Sequence, residues 1–570
     1  MTLTVARTAD FLRISSLPRR AWEAAELDRL AGDLTEILCT PTGTMSLRPV
    51  QALALHDAGI ERGLFGSIGV GEGKTVISLL LPVVLQAERP LLLVPGGLIE
   101  KTNRDRAALS AHWRVPTHLR LLSYDWLSRV QAKEALDDYK PDLIICDEVH
   151  RLKNRRAAVT RVVARYMHAS PLTTFCGMSG TVMSHSLKDF AHILNWALKL
   201  SSPIPHATEE IEEWAEVLDQ TPNMFAPTRE PGALLDLCSA EERRSHPPVV
   251  AARHGFRRRL TETPGVVSTL GDGEHIGASI RLTGIMHAVA SATESAFTKL
   301  RTEWRTPDEW ELDTAIDVWR HAQELALGLY YVWDPRPPID WLTARSNWGR
   351  FVRETIAHSR TFDSELHVAN GVDAGRLPAG AATLDAWRTI RSAFNPNVEA
   401  RWCDDSALRT CAHWLLKPGL LWTEHNLFAA RLAEVTGLPY FGAGGFSAAG
   451  AYIEDCKPGV SVIASVDANR EGKNLQRLWS RNLVVCPPAS AAIWEQMIAR
   501  THRGPGQDAD EVEFDVLLGC RENYDACTHA LEGAQVIADV TGKRQKLLLA
   551  DVTLPSETEI DEKREPRWKR

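Results

Sequence analysis

The sequence predicts an α/β fold of two parallel-sheet lobes flanked by helices, with helical insertions between them. Three observations predict it. Between residues 45 and 200, and again from 416 onward, short apolar runs of strand length alternate with stretches of helical character. Buried parallel strands read as such continuous runs, and the alternation reads as βαβ units. The two regions are separated by a long stretch of different texture, and 570 residues are too many for one core, so two to four domains are expected.

Taken in order, residues 1–44 read as a polar, helical N-terminal segment. Lobe one, 45–200, has candidate strands at Gly63–Ser67, Leu91–Val94, Leu119–Ser123, Leu143–Cys146 and Thr173–Gly177. Residues 201–285 are less regular and read as an insertion and a basic linker, with an acidic patch of Glu209, Glu210, Glu212, Glu213 and Glu216. Residues 286–415 read as a helical region holding nine of the eighteen tryptophans. Indoles filling a helical core is the first reading of that density; indoles stacking on bases is the second. Lobe two, 416–550, has candidate strands at Gly419–Thr423, Ser461–Ser465, Asn482–Cys486 and Glu511–Leu517. Its helices include Asn426–Thr436 and one running from Ser490, a plausible N-cap, to Arg500. Residues 551–570 read as a loose charged tail.

Composition narrows the function classes. A hydrophobic content of 44% and a charged content of 24% are ordinary for a soluble globular protein. Ten cysteines without a CxxC pair or a Cys/His cluster argue against a zinc site and a disulfide framework, and for a reducing, cytoplasmic setting. The start, Met1 to Arg7, lacks the apolar core of a signal peptide. The longest apolar run, Val76 to Leu85, contains Ser78 and Pro82 and is too short to span a bilayer, so no membrane partner is expected. A net charge of −8 carries no global signal for nucleic acid. A nucleic-acid motor needs only a locally basic groove.

The chemistry concentrates in a few segments. A short apolar strand runs into Gly69-Val70-Gly71-Glu72-Gly73-Lys74-Thr75 and then a helix. Gly71 and Gly73 let backbone N–H groups approach phosphates, and a helix N-terminus favours the anion. Lys74 is placed to reach the β- and γ-phosphates, and Thr75 to put its hydroxyl on Mg2+. Ile68 stands where the strict pattern has its first glycine. Further on, the apolar run Leu143–Cys146 ends in Asp147 and Glu148, at the strand edge where open α/β sheets bind ligands. Asp147 is expected to hold Mg2+ and Glu148 to polarise the attacking water. Ser179, Gly180 and Thr181 follow the next strand and are expected to couple the nucleotide's state to the other lobe; an ordinary strand-to-helix turn is the alternative.

In lobe two, Gln496, Arg500 and Arg503 are spaced at four and three, so they share a helix face. Arginine suits a γ-phosphate because its fork is planar and permanently charged. Two basic clusters can neutralise backbone phosphates: Arg151, Lys153, Arg155, Arg156, Arg161 and Arg165, and then Arg253, Arg257, Arg258 and Arg259. A solvated basic helix face is the alternative for each.

With these residues in view, the chain resembles the superfamily 2 helicase-type ATPases of the DEAD/DEAH-box kind, and within them the SWI/SNF-type DNA translocases. Leu47-Arg48-Pro49-Val50-Gln51 resembles the adenine-reading Q motif, which implies nucleotide contacts from Arg48 and Gln51. Leu92-Leu93-Val94-Pro95 resembles the motif after the phosphate loop and implies nucleic-acid contact at Pro95 and Gly96. Ser123-Tyr124, Asp147 to Asn154 and Ser179-Gly180-Thr181 fit the next motifs in order. Phe256 to Arg259 resembles the group's arginine-rich segment. Gly472 to Gln476 resembles motif V, with Lys473 where leucine is usual, and implies nucleic-acid contact from Asn474 and Gln476. Gln496 to Gln507 resembles motif VI with a longer ending. The resemblance implies two RecA-like P-loop lobes, ATP and Mg2+ as cofactors, DNA as partner, and ATP hydrolysis coupled to stepping along it.

The expectation is therefore a nucleic-acid-dependent ATP hydrolase, a DNA helicase or translocase, monomeric and cytoplasmic. An RNA helicase is one alternative. Another is a remodeller that displaces protein without separating strands, with residues 286–415 gripping a protein partner.

Overall fold

The computed structural model describes residues 3–69, 71–129, 134–155, 157–180, 186–219, 229–269, 277–287, 289–312, 314–358, 362, 365–504 and 506–556. The fold is α/β, with two parallel sheets flanked by helices, the arrangement expected of two RecA-like lobes. The chain divides into two compact units. The first contains residues 1–272, 349–381 and 535–544; the second contains 273–348, 382–534 and 545–570.

The first unit is built on a six-stranded parallel sheet. Its strands lie in the order Arg120–Ser123, Pro90–Val94, Leu143–Asp147, Thr174–Ser179, Leu64–Ser67 and Val266–Ser268. Each of the five strands expected between 45 and 200 forms, within about two residues of its expected bounds. The central strands are buried along nearly their whole length, which is why they read as unbroken apolar runs. Helices Pro49–Glu61 and Lys74–Val84 contribute Ala52, Ala54, Leu55, Ile77, Leu80 and Leu81 to the core on one side.

The segments around this sheet are more integrated than their sequence suggests. Helices Ala9–Ser16 and Ala24–Leu38 form within residues 1–44, and Ala31 and Leu38 join the sheet's core. Within 201–285, read as an insertion and linker, helix Thr208–Leu218 buries Trp214 edge-on against Phe11 and Phe256. Its acidic patch is partly spent on neighbours: Glu216 and Glu213 pair with Arg229 at 2.8 and 3.4 Å, and Glu210 accepts from the Thr8 hydroxyl. Val266–Ser268 supplies the edge strand of the sheet. It is only three residues long, too short for a periodicity signal.

The second unit holds a seven-stranded parallel sheet in the order Tyr440–Phe441, Val462–Ser465, Leu420–Thr423, Arg481–Val485, Glu511–Leu518, Ser279–Met286 and Asp551–Thr553. The four strands expected after 416 all form, as does helix Asn426–Thr436. Helix Ala491–Thr501 follows Ser490 as its N-cap residue, although the Ser490 side chain makes no capping bond. Ser279–Met286 was assigned to the linker, yet it pairs along eight residues with Glu511–Leu518. Its alternating Ser-Ile-Arg-Leu-Thr pattern is that of a half-buried strand. Asp551–Thr553 opens the stretch expected to be a loose tail and pairs with the same strand.

The region 286–415 is not wholly helical, because Leu329–Trp333 and Val398–Trp402 form an antiparallel pair. Its tryptophans are mostly structural. Buried Trp341 meets Trp333, Trp387 and Phe394 edge-on, and Arg345 lies over Trp333 and Trp341. Arg431 and Arg481 cover Trp402 and Trp414 at 4.0 and 3.6 Å. All ten cysteines are unbridged. Among the described residues no helix is long and apolar enough to cross a membrane.

One buried ion pair ties the N-terminal segment to the first sheet. Arg20 donates to Asp57 Oδ2 at 2.6 Å and to the carbonyls of Thr261 and Val266, and Asp57 also accepts from the Gly265 N–H. Removing Asp57 leaves the Arg20 charge without its counter-ion and the Gly265 N–H without its acceptor. Asp57→Ala is expected to cost about 3–5 kcal/mol, read as a lower urea midpoint by tryptophan fluorescence. A loss under about 1 kcal/mol would place the pair in the class of surface bridges.

Candidate functional site

Parallel pairing brings five loops of the first sheet to one edge, and the predicted site residues sit on them. The loop after Leu64–Ser67 runs through Gly71 and Gly73, with φ of 95° and 79°, into helix Lys74–Val84. Gly73 has a left-handed backbone that favours glycine, and a Cβ there would lie 2.0 Å from Gln51 Nε2, so a side chain would strain the turn and displace the Gln51 amide. Lys74 is only 9% exposed. Its ammonium donates to the carbonyls of Ile68 and Gly69 at 3.1 and 3.3 Å and lies 3.6 Å from Glu148 Oε1. Thr75 is the second residue of the helix and half-buried.

Arg48 and Gln51 brace this loop from the start of helix Pro49–Glu61. Gln51 accepts from the Arg48 N–H in a capping box and donates to the carbonyl of Glu72 at 3.2 Å. Arg48 donates to the Gly71 carbonyl and to Glu72 Oε2, both at 3.1 Å. Both residues therefore bond the glycine loop directly.

The acidic pair ends strand Leu143–Asp147. Glu148 adopts a left-handed backbone, φ 55° and ψ 52°, which turns the chain sharply as it leaves the sheet. Such a conformation in a non-glycine residue marks a site under constraint. Its carboxylate accepts from the Ser179 hydroxyl at 3.0 Å and lies 3.3 Å from His150 Nδ1, which is itself 2.9 Å from Ser179 Oγ. Burial opposes ionisation of Glu148, but the Lys74 ammonium, the His150 ring and the Ser179 hydroxyl outweigh it and hold the carboxyl below the usual range. Asp147 moves the other way: burial and the adjacent Glu148 charge push it up to about 6. The two neighbouring carboxyls thus share one buried corner in which the Lys74 ammonium favours charge on Glu148.

Pro95 is buried and Gly96 half-buried at the end of strand Pro90–Val94, and the Gly96 N–H donates to Asp125 Oδ2 at 3.1 Å. The Tyr124 hydroxyl donates to the Asp147 carbonyl at 2.8 Å. Gly180 follows Ser179, the last residue of its strand. Thr181, Arg156, Val70 and Pro505 lie outside the described residues.

The basic clusters divide. Arg155 is exposed and Arg257 half-exposed. Arg258, expected to meet nucleic acid, is committed instead to Glu242 at 2.8 Å and to the Leu237 carbonyl. Arg259 is buried and donates to the carbonyls of Leu17 and Pro18, and Arg253 to those of Leu218 and Asp219. The second cluster is thus largely scaffolding, because arginines on a helix that packs on both faces must satisfy their forks internally.

Within the second unit, the segment Gly472–Gln476 and the helix Ala491–Thr501 meet. Arg500 is buried; its guanidinium donates to the carbonyls of Gln496 and Lys473 at 2.9 and 3.1 Å. Half-exposed Arg503 donates to Asn474 Oδ1 at 2.5 Å, and the Asn474 N–H donates to Glu454. Gln496 is buried and Gln476 half-buried. The arginines therefore differ: one bonds to the surrounding backbone, the other reaches the surface. Lys473 donates to the Gly444 carbonyl and the Tyr452 hydroxyl, so the departure from leucine holds the loop around Gly444.

Sequence reasoning named neither His150 nor Glu72 as site residues, although His150 stands two positions after Glu148. Asp125 and Tyr124 carried only a weak signal. No protein-family model matches this chain, and no curated protein is significantly similar to it. Function is therefore argued from the geometry of the site.

Gly73→Ala is expected to keep the fold and weaken binding of a fluorescent ATP analogue by roughly the 1–3 kcal/mol of a strained backbone position. Unchanged affinity with unchanged circular dichroism would show that the loop tolerates a Cβ.

Proposed function

We propose that this chain is a helicase-type ATP hydrolase that couples ATP hydrolysis to movement along DNA. The observation that carries the reading is the buried Lys74 ammonium, 3.6 Å from Glu148, at the sheet edge where the glycine loop and Asp147 also end. A deep cation at the start of a helix, donating to the loop's own carbonyls beside two carboxyls, fits a metal–triphosphate better than it fits a neutral ligand. The residues suit ATP with Mg2+: Lys74 for the β- and γ-phosphates, Thr75 and Asp147 for the metal, Arg48 and Gln51 for the loop and base. Mg2+ contributes neutralisation of phosphate charge.

Glu148 is assigned to orient and polarise the attacking water. Its carboxyl is kept ionised by Lys74 and His150 and aimed by the Ser179 hydroxyl. Arg503 is the arginine assigned to the developing phosphate charge, because its fork is half-exposed and lies on the Asn474 side chain at the end of the helix. Arg500 holds the Lys473 carbonyl and serves to position motif V. Nucleic-acid contact is assigned to Pro95, Gly96, Arg155, Asn474 and Gln476, all at loops or exposed turns, with Arg257 as the remaining candidate of its cluster.

A second reading, a remodeller that grips a protein partner, is favoured by a cleft of about 1030 Å3 in the second unit. It gathers exposed Trp310, Ile316, Val398 and Leu427 beside Glu424 and Asp467. Clustered exposed apolar side chains rimmed by charge mark protein-binding surfaces.

The reading is tested by ATPase rates with no nucleic acid, single-stranded DNA, duplex DNA and RNA, beside a strand-displacement assay. DNA-stimulated hydrolysis is expected. Stimulation by RNA alone would make it an RNA helicase; duplex stimulation without displacement would favour the remodeller; no hydrolysis in any arm would overturn the proposal.

Lys74→Ala is expected to abolish nucleotide binding and turnover, whereas Glu148→Gln should retain ATP binding and lose about 10²–10⁴ in rate. Equal loss of binding in both would refute the division of roles. Arg503→Ala is expected to lower kcat by about 10³–10⁵ with ATP affinity less affected. Lysine at that position should rescue poorly, since a point charge lacks the fork. A loss confined to KM, or full rescue by lysine, would make Arg503 a binding or surface residue.

A further inference from the structure

The helix Arg521–Thr541 ends at Gly542, whose φ of 78° turns the chain out of it. The next residue, Lys543, is 3% exposed, and its ammonium donates to the carbonyl of Gly180 at 2.9 Å, across 363 residues of sequence. Both residues belong to the first unit. Among the described residues no carboxylate pairs with this ammonium, and the Gly180 carbonyl is its hydrogen-bond acceptor. An ammonium has three donors, and burying it with one acceptor and no counter-charge is costly. Local choices that stability disfavours concentrate where function is built.

What Lys543 touches gives the cost a purpose. Gly180 follows Ser179, whose hydroxyl donates to the Glu148 carboxylate at 3.0 Å. One peptide unit separates the Lys543 contact from the carboxylate assigned to water activation.

A second contact lies three residues on, inside the second unit. Lys546 is buried; its N–H donates to Glu495 Oε2 at 2.6 Å, and its ammonium lies 3.4 Å from His502 Nδ1. Burial and the Lys546 charge hold His502 down to about 4, so its imidazole is neutral: Nδ1 accepts from Lys546 while Nε2–H donates to the Ala278 carbonyl at 2.9 Å. Glu495 precedes Gln496 on the helix, and His502, its C-cap residue, lies between Arg500 and Arg503. Each contact is internal to its own unit, and the peptide 543–546 is common to both.

We propose that residues 541–546 form a strap joining the Ser179–Gly180 turn to the arginine helix, with Lys543 as a positioning residue that aligns Ser179 and hence Glu148. Such a segment is a physical route for coupling, because movement of one anchor pulls on the other through the peptide. The proposal rests on the reading of the first unit as an ATPase.

The test is Lys543→Met in the full-length chain, assayed by thermal unfolding and by steady-state ATPase kinetics with and without duplex DNA. Methionine removes the charge and keeps the length. The expected result is a melting temperature unchanged or raised, KM for ATP unchanged, and DNA-stimulated kcat lower by about ten-fold. A fall in melting temperature with kcat retained would make Lys543 structural and overturn the proposal, as would stimulated kcat equal to wild type. Should Lys543→Met fail to fold, Lys543→Gln keeps a donor without the charge and is read in the same assays. The wild-type chain is measured first: absence of any DNA-stimulated hydrolysis there would sink the parent reading, whereas a stimulated wild type with an indifferent Lys543→Met would sink only the strap.

Discussion

Parallel pairing is the constraint on which the first unit's site depends. Strands that all run one way must all end at one edge, so the glycine loop, Pro95–Gly96, Ser123–Tyr124, Asp147–Glu148 and Ser179–Gly180 are delivered to the same rim. Strand order then decides which loops touch. Thr174–Ser179 lies between the strand of the glycine loop and the strand of the acidic pair, and Ser179 accordingly bonds Glu148. Buried strands with apolar faces make this rim rigid, and rigid elements hold functional groups more accurately than free loops.

Charge is distributed on that rim so that each group defines another. Lys74 lowers the proton affinity of Glu148, and Glu148 raises that of Asp147. His150 and Ser179 orient the carboxylate they share. The loop is braced by Arg48 and Gln51, which bond the carbonyls of Gly71 and Glu72. This kind of pre-organisation lets fixed dipoles and charges act on a bound anion without rearranging.

The arginines show why residue type alone misleads. Arg258, Arg259 and Arg253 look in sequence like a phosphate-binding row, but the helix carrying them is packed on several sides and their forks bond backbone carbonyls. Arg500 and Arg503 look equivalent at a spacing of three, yet one is buried against motif V and the other reaches the surface. A guanidinium with five donors is as useful for joining loops as for binding phosphate, and only its surroundings tell which.

The sequence by itself determined the α/β class, the nine strands it named and the glycine loop and acidic pair, because these rest on local signals: apolar runs, a glycine pattern, and carboxylates at a strand's end. It missed Val266–Ser268, Ser279–Met286 and Asp551–Thr553, which are short or half-exposed edge and near-edge strands whose pairing partners lie far away in sequence. Tertiary structure alone decided that His150 and Ser179 hold Glu148, that Arg258 pairs with Glu242, and that Lys543 meets Gly180. Those facts depend on which side chains share a volume after folding, and no periodicity or spacing along the chain encodes a contact across 363 residues.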